Sequence, residues 1–177
     1  MKSTGILIAG FGGQGALFAG KLLAYSALKE EKQLSWLPSY GPEMRGGTAN
    51  CGVIISDSPV GSPIVSEPDI LIAMNKPSFD KFEPACVPGA MIFSDCTLID
   101  SKSEREDVTE FDIPATQMAQ DKNLSGLSNI VLVGKMIKET GVIALETAEA
   151  ALKEMIPAKK AFLIDKNIEA LRAGYNF

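Results

Sequence analysis

Residues 4–28 constrain this chain more than any other stretch. An apolar run, Thr-Gly-Ile-Leu-Ile-Ala, passes without a polar break into Gly10-Phe11-Gly12-Gly13-Gln14-Gly15, and a helix-forming segment follows over residues 16–28. A short continuous apolar run that ends in glycines reads as a strand buried on both faces. The helix after it is apolar on nearly every side and carries Ala19, Gly20, Ala24 and Ala27, small enough for close packing on a sheet. A buried strand feeding a sheet-packed helix opens an α/β fold.

The rest of the chain continues the alternation. Strands are expected over residues 33–37, 48–56, 69–74 and 90–94, the last compatible with an extension through Leu98 and Ile99. Ile64 and Val65 fit a short extra strand, and residues 109–113 a strand end. Helices are expected over residues 77–86, with Pro77 in the first turn, then over 114–120, 128–140, 144–155 and 160–173. Gly141 supplies a C-cap for the 128–140 helix. Residues 100–112 hold six acids and two bases, the pattern of a solvated loop or edge. The sum is a three-layer α/β sandwich around a largely parallel, Rossmann-like sheet. Its last third is helical, and residues 1–177 make one domain.

Composition removes several functions. The net charge of −5 opposes nucleic-acid binding, which needs a basic face to neutralise phosphates. No apolar run reaches the ~18 residues of a membrane span, and the apolar start lacks a signal-type cleavage site, so a cytoplasmic location is expected. Cys51, Cys86 and Cys96 lie far apart without a Cys-x-x-Cys pair, so no metal or iron–sulfur site is expected from this chain alone. All three are expected to be buried free thiols. The absence of histidine removes the commonest general base and every Ser-His or Cys-His nucleophile. No catalytic residue is assigned.

Residues 10–15 satisfy G-x-G-x-x-G between a strand and a helix, the setting in which backbone N–H groups and a helix N-terminus can receive an anion. A dinucleotide site also needs an acid at the tip of the second strand, about 20 residues on, to hold a ribose. Here that tip is Trp36-Leu37-Pro38-Ser39, and Glu30 and Glu31 precede the strand. No lysine follows the last glycine, which excludes a nucleotide-triphosphate loop. The turn is then either a structural strand-to-helix junction or a site for another phosphate-bearing ligand or a partner backbone. Gln14 favours recognition.

A second irregular stretch, Pro-Ser-Tyr-Gly-Pro-Glu-Met-Arg-Gly-Gly-Thr-Ala-Asn over residues 38–50, follows the second strand. Thirteen residues without helix or strand periodicity in a chain of this size read as an ordered recognition loop. Ligands of open α/β sheets bind beyond the C-terminal strand ends. The loop should therefore lie beside the glycine turn, with Asn75 joining them at the end of the 69–74 strand. The candidate binding set is Gly12, Gly13, Gln14, Gly15, Tyr40, Glu43, Arg45 and Asn75. Arg45 is its one permanent cation, suited either to a phosphate or carboxylate or to an internal salt bridge with Glu43.

These two motifs, with Gly61-Ser62-Pro63, Pro-Asp-Ile-Leu-Ile-Ala-Met-Asn over residues 68–75, and Asn129, resemble the gamma subunit of the 2-oxoacid:ferredoxin oxidoreductases. The likeness spans almost the whole chain and is greatest to 2-oxoglutarate-type or branched-chain enzymes. The resemblance implies a complex that decarboxylates a 2-oxoacid, forms a CoA thioester and reduces ferredoxin. Alpha, beta and ferredoxin-like delta subunits are the implied partners. Thiamine diphosphate and iron–sulfur clusters belong to those partners, and CoA is a substrate of the complex. This subunit would support assembly and CoA access, and in isolation would expose an apolar patch and self-associate. A stand-alone nucleotide- or CoA-binding module is the alternative.

Overall fold

The computed structural model describes residues 3–39 and 48–177. In chain order the elements are β1 (Ser3–Phe11), α1 (Ala16–Lys29), β2 (Gln33–Ser39), β3 (Thr48–Ser56), β4 (Ile70–Ala73), α2 (Lys76–Phe82), β5 (Met91–Asp95) and β6 (Thr109–Ile113). Then follow α3 (Ala115–Asp121), α4 (Ser128–Thr140), α5 (Leu145–Met155) and α6 (Ile164–Tyr175). Single 3₁₀ segments extend α2 (Glu83–Ala85) and precede α6 (Ala158–Leu163).

The sheet order is β2-β3-β1-β4-β5-β6. The β1–β4, β4–β5 and β5–β6 pairs are parallel, whereas β3 runs antiparallel to both β1 and β2. The sheet is thus mixed, with β3 the one reversed strand, and helices cover both sides. This bears out the α/β architecture with its helical last third.

The period-two alternation of β1 divides two cores. Ile6 and Ile8 enter the larger one, with α1, α3, α4, α5 and α6, while Leu7 enters the smaller one with Phe79, Cys86, Ile92 and Ile99. Fully burying an aliphatic side chain of this size contributes roughly 1.5–3 kcal/mol, so the alternation fixes the register: a one-residue slip would exchange the two sets.

Several local expectations are corrected. Ile64 and Val65 form no strand; Val65 lies flat on the sheet. A Cβ on Gly52 would meet the Val65 side chain at 3.1 Å and one on Gly5 would meet it at 3.3 Å, so both strands leave the space it fills. The fifth strand stops at Asp95 without extending through Leu98 and Ile99. The buried Asp95 carboxylate accepts from Thr97 N–H (3.2 Å), Thr116 N–H (3.1 Å) and Thr116 Oγ1 (2.6 Å), which turns the chain there. The 77–86 helix tightens to 3₁₀ geometry at Glu83-Pro84, and the last α-helix begins at Ile164, four residues later than its expected start. β2 runs through Pro38 to Ser39; proline is tolerated because β2 is an edge strand. Cys51 and Cys86 are buried, but Cys96 is exposed just past the end of β5.

The acid-rich stretch is solvated as expected, yet anchored. Arg105 donates to the carbonyls of Glu83 (3.1 Å) and Cys86 (2.9 Å) and forks onto Asp107 at 2.9 and 2.8 Å, pinning the loop to the end of α2.

Candidate functional site

At the end of β1 the backbone must turn sharply into α1. Gly15 is its N-cap, with φ 82° and no side chain of its own to cap the helix. Only glycine adopts that conformation without strain. It is also crowded: a Cβ there would meet Asn129 Nδ2 at 2.5 Å. Asn129, in the first turn of α4, uses that nitrogen to donate to the Gly15 carbonyl at 3.1 Å.

Gln14 spans the gap between β1 and β4. Its Oε1 accepts from Phe11 N–H at 2.6 Å and from Asn75 Nδ2 at 2.9 Å, and its Nε2 donates to the Met74 carbonyl at 3.0 Å. The last backbone tie between the two strands, Met74 N–H to the Ala9 carbonyl at 2.9 Å, lies just before it. Asn75, 3% exposed, is the N-cap of α2: its Oδ1 accepts from Ser78 N–H at 2.9 Å. The glycine turn and the start of α2 are thereby joined through two side-chain amides. Gly12 and Gly13 project beyond them, both exposed.

The structure brings together five of the eight candidate residues: Gly12, Gly13, Gln14, Gly15 and Asn75. Tyr40, Glu43 and Arg45 lie outside the described residues. The ends of their segment are placed, however. Because β3 separates β1 from β2, the segment leaves the sheet at Ser39, one strand removed from β1. It returns at Thr48, the register partner of Phe11. The body of the loop expected beside the glycine turn lies outside the described residues; its last part, the start of β3, is the neighbour of β1 at that end.

Among the described residues this edge is electrically neutral, since Phe11–Gly15, Met74, Asn75 and Asn129 carry no charge. Lys76, next in sequence, is spent on Asp80 (3.4 Å) and Ser101 (2.8 Å). The attraction for an anion comes from the positive end of α1, equivalent to about half an elementary charge. Among the described residues no nucleophile–base pair converges here, and no group of three His, Cys, Asp or Glu side chains is arranged to hold a metal. Asn129 is the participant that sequence reasoning did not place in the site: it lies 114 residues from Gly15, and only the fold brings the two together.

A cleft of about 490 Å³ lies at the other end of the sheet, lined by Ser3, Thr4, Lys32, Asp57, Asp69 and Gly141 among others. Two of its ionic groups, Lys32 and Asp69, are already engaged. Lys32 donates to the Val142 carbonyl at 2.6 Å and pairs with Glu30 at 2.8 Å, and Asp69 accepts from Gly5 N–H at 2.7 Å. Burial pushes the Glu30 carboxyl up, but the hydrogen bonds from Lys32 and Ala144 N–H and the Lys32 charge outweigh it and hold it below its ordinary value. Glu30 is thus fixed at the wrong end of the sheet for a ribose partner.

A strand–glycine turn–helix with a mixed sheet and helical last third defines a class, and comparison with known proteins identifies it. The chain belongs to the pyruvate ferredoxin/flavodoxin oxidoreductase family, whose sequence profile matches residues 5–177. Within the family it is similar to the 2-oxoglutarate synthase subunit KorC of Methanocaldococcus jannaschii, at 35% identity over 96% of this chain and 91% of that subunit. It is also 40% identical, over 96% of its own length, to the ketoisovalerate oxidoreductase subunit VorA of Methanothermobacter thermautotrophicus, but it spans only 35% of that longer chain. The keto/oxoacid ferredoxin oxidoreductase gamma subunit of Geobacter sulfurreducens superposes with a TM-score of 0.88 at 29% identity, covering 99% of this chain and 96% of that one. The resemblance to gamma subunits drawn from the two sequence motifs is borne out.

Proposed function

We propose that this chain is the gamma subunit of a 2-oxoacid:ferredoxin oxidoreductase, with 2-oxoglutarate as the oxoacid. The observation that carries the reading is the match along nearly the full length of both chains to KorC subunits, on a fold shared with a gamma subunit. The complex decarboxylates the oxoacid, captures the acyl group on CoA and passes the electrons to ferredoxin. This subunit, one domain over residues 1–177 working in the cytoplasm, completes the assembly with alpha, beta and delta partners. The slightly higher identity to VorA favours ketoisovalerate as the second reading.

Thiamine diphosphate and iron–sulfur clusters are assigned to the partner subunits, and the cysteines of this chain are too far apart to hold a cluster. Cys51 belongs to the larger core and Cys86 to the smaller one, and Cys96 stands apart on the surface. The glycine edge fits CoA instead: exposed Gly12 and Gly13 backbone and the α1 N-terminus are suited to its phosphates. Gln14, Gly15 and Asn75 shape that edge, and Tyr40, Glu43 and Arg45 of the second motif are assigned to the same ligand. Phe11, Leu37 and Ile64, at 40%, 43% and 66% exposure, supply apolar surface for partner chains or, in the isolated chain, for self-association.

The test is a substrate panel on the purified complex. Turnover with 2-oxoglutarate and CoA is expected to exceed turnover with 2-oxoisovalerate and pyruvate. A preference for 2-oxoisovalerate would select the second reading.

A further inference from the structure

We propose that Gln14 is a positioning residue that acts on CoA through Asn75, setting the glycine backbone without touching the ligand. This inference rests on the CoA reading of the glycine edge. β1 and β4 are parallel neighbours, and both leave the sheet at the same end, one into α1 and the other into α2. Where two such strands turn away, the backbone ladder ends and the next polar groups lose their partners. Phe11 N–H and the Met74 carbonyl are in that position; Met74 is buried, so its carbonyl must be paired.

One glutamine satisfies both. It presents an acceptor to Phe11 (2.6 Å) and a donor to Met74 (3.0 Å), which glutamate, lacking the donor, and methionine, lacking both, cannot do. The same acceptor oxygen takes Asn75 Nδ2 at 2.9 Å, and Asn75 passes the constraint on to Ser78 N–H at 2.9 Å. The carbonyl oxygen thus has both of its acceptor directions filled, and the amide nitrogen has one of its two donors engaged. Gly12 and Gly13, which have no side chains to steer them, lie between Phe11 and Gln14, which this latch ties together, and Asn129 holds the Gly15 carbonyl just beyond. A ligand gripped by backbone donors is as well placed as those donors are, and a misplacement of about 1 Å costs up to ~10² in rate or binding.

The test uses Gln14→Met, Asn75→Asp and the double variant in the complete enzyme. Asn75→Asp keeps the oxygen that caps α2 and loses the donor to Gln14, which separates the latch from the cap. Each single variant is expected to raise KM for CoA by about tenfold with kcat at saturating CoA and KM for the oxoacid nearly unchanged, the signature of lost ground-state placement. The double variant should be no worse than the more damaging single one, since both break one linkage. Multiplying effects in the double variant, or an unchanged KM in Gln14→Met, would overturn the proposal.

Hydrogen exchange on this chain provides a readout that does not depend on assembly. Gln14→Met should accelerate exchange of Ser78 N–H about tenfold, although Gln14 lies in the turn before α1 and Ser78 in α2; unchanged exchange would also overturn the latch. If the wild-type complex binds CoA equally well with and without this chain, the CoA reading fails, and the exchange measurement still decides the latch by itself.

Discussion

The two ends of the sheet use hydrogen bonds for different purposes. At the N-terminal end of β1 and β4, charged groups close the junctions between strands and helices: Lys32 on Val142, Glu30 on Ala144, Asp69 on Gly5. The cleft left among them is large, but Lys32 and Asp69 in its wall are bound to the protein itself. At the opposite end neutral amides tie β1 to β4 and α1 to α4, and they hold an exposed glycine backbone outward. Cavity volume marks the first end, and oriented backbone marks the second. For an anionic ligand the second matters more, because a fixed N–H group is already paid for when the ligand arrives.

The comparison can be broken most severely at Gly15. Gly15→Val puts a β-branched side chain at positive φ and into Asn129, and is expected to cost about 3 kcal/mol of stability in denaturant titration. A cost under ~1 kcal/mol would mean the turn is not held as described. Next is Asn75→Ala, which removes the α2 cap and the latch together and should cost about 1–2 kcal/mol.

At the other end Glu30→Gln should cost less than ~1 kcal/mol, as for other surface pairs, and leave CoA kinetics alone. The sign with pH follows from the lowered Glu30 carboxyl. A depressed folded-state value means a contribution fully present above the ordinary 4.5 and lost as pH falls through the folded value, so the wild-type advantage over Glu30→Gln should vanish in acid. A difference that grows on acidification would contradict the pairing. The smallest effect concerns the thiols. Burial pushes Cys51 up to about 11, whereas Cys96 is exposed. Alkylation of the native chain at neutral pH should label Cys96 first and leave Cys51 unlabelled until unfolding.

Much of this was legible in the sequence, and for physical reasons. The β1–turn–α1 unit is local, and periodicity, glycines and helix formers all point the same way. Asn75 was readable as a neighbour of the turn because it ends an apolar strand and ligands of open α/β sheets bind beyond strand C-termini; the placement required that strand to lie parallel beside β1, and β4 does. The reversed β3 was not readable, since an apolar strand does not declare its direction or its neighbour. Its insertion between β1 and β2 is what moves the return point of the 40–47 segment, Thr48, next to Phe11. Val65 mimics a strand residue because it packs on a sheet face, where the same side chains are favoured. Asn129 was quoted for family likeness alone, because a bond across 114 residues leaves no local trace.

The role proposed for this chain is to serve CoA within a larger oxidoreductase without doing chemistry by itself. The most direct measurement is CoA-dependent oxidation of 2-oxoglutarate by the partner subunits, with this chain left out and then added back. The account predicts a loss of more than about a hundredfold without it and recovery on addition, with the isolated chain inactive. Full turnover in its absence would contradict the claim.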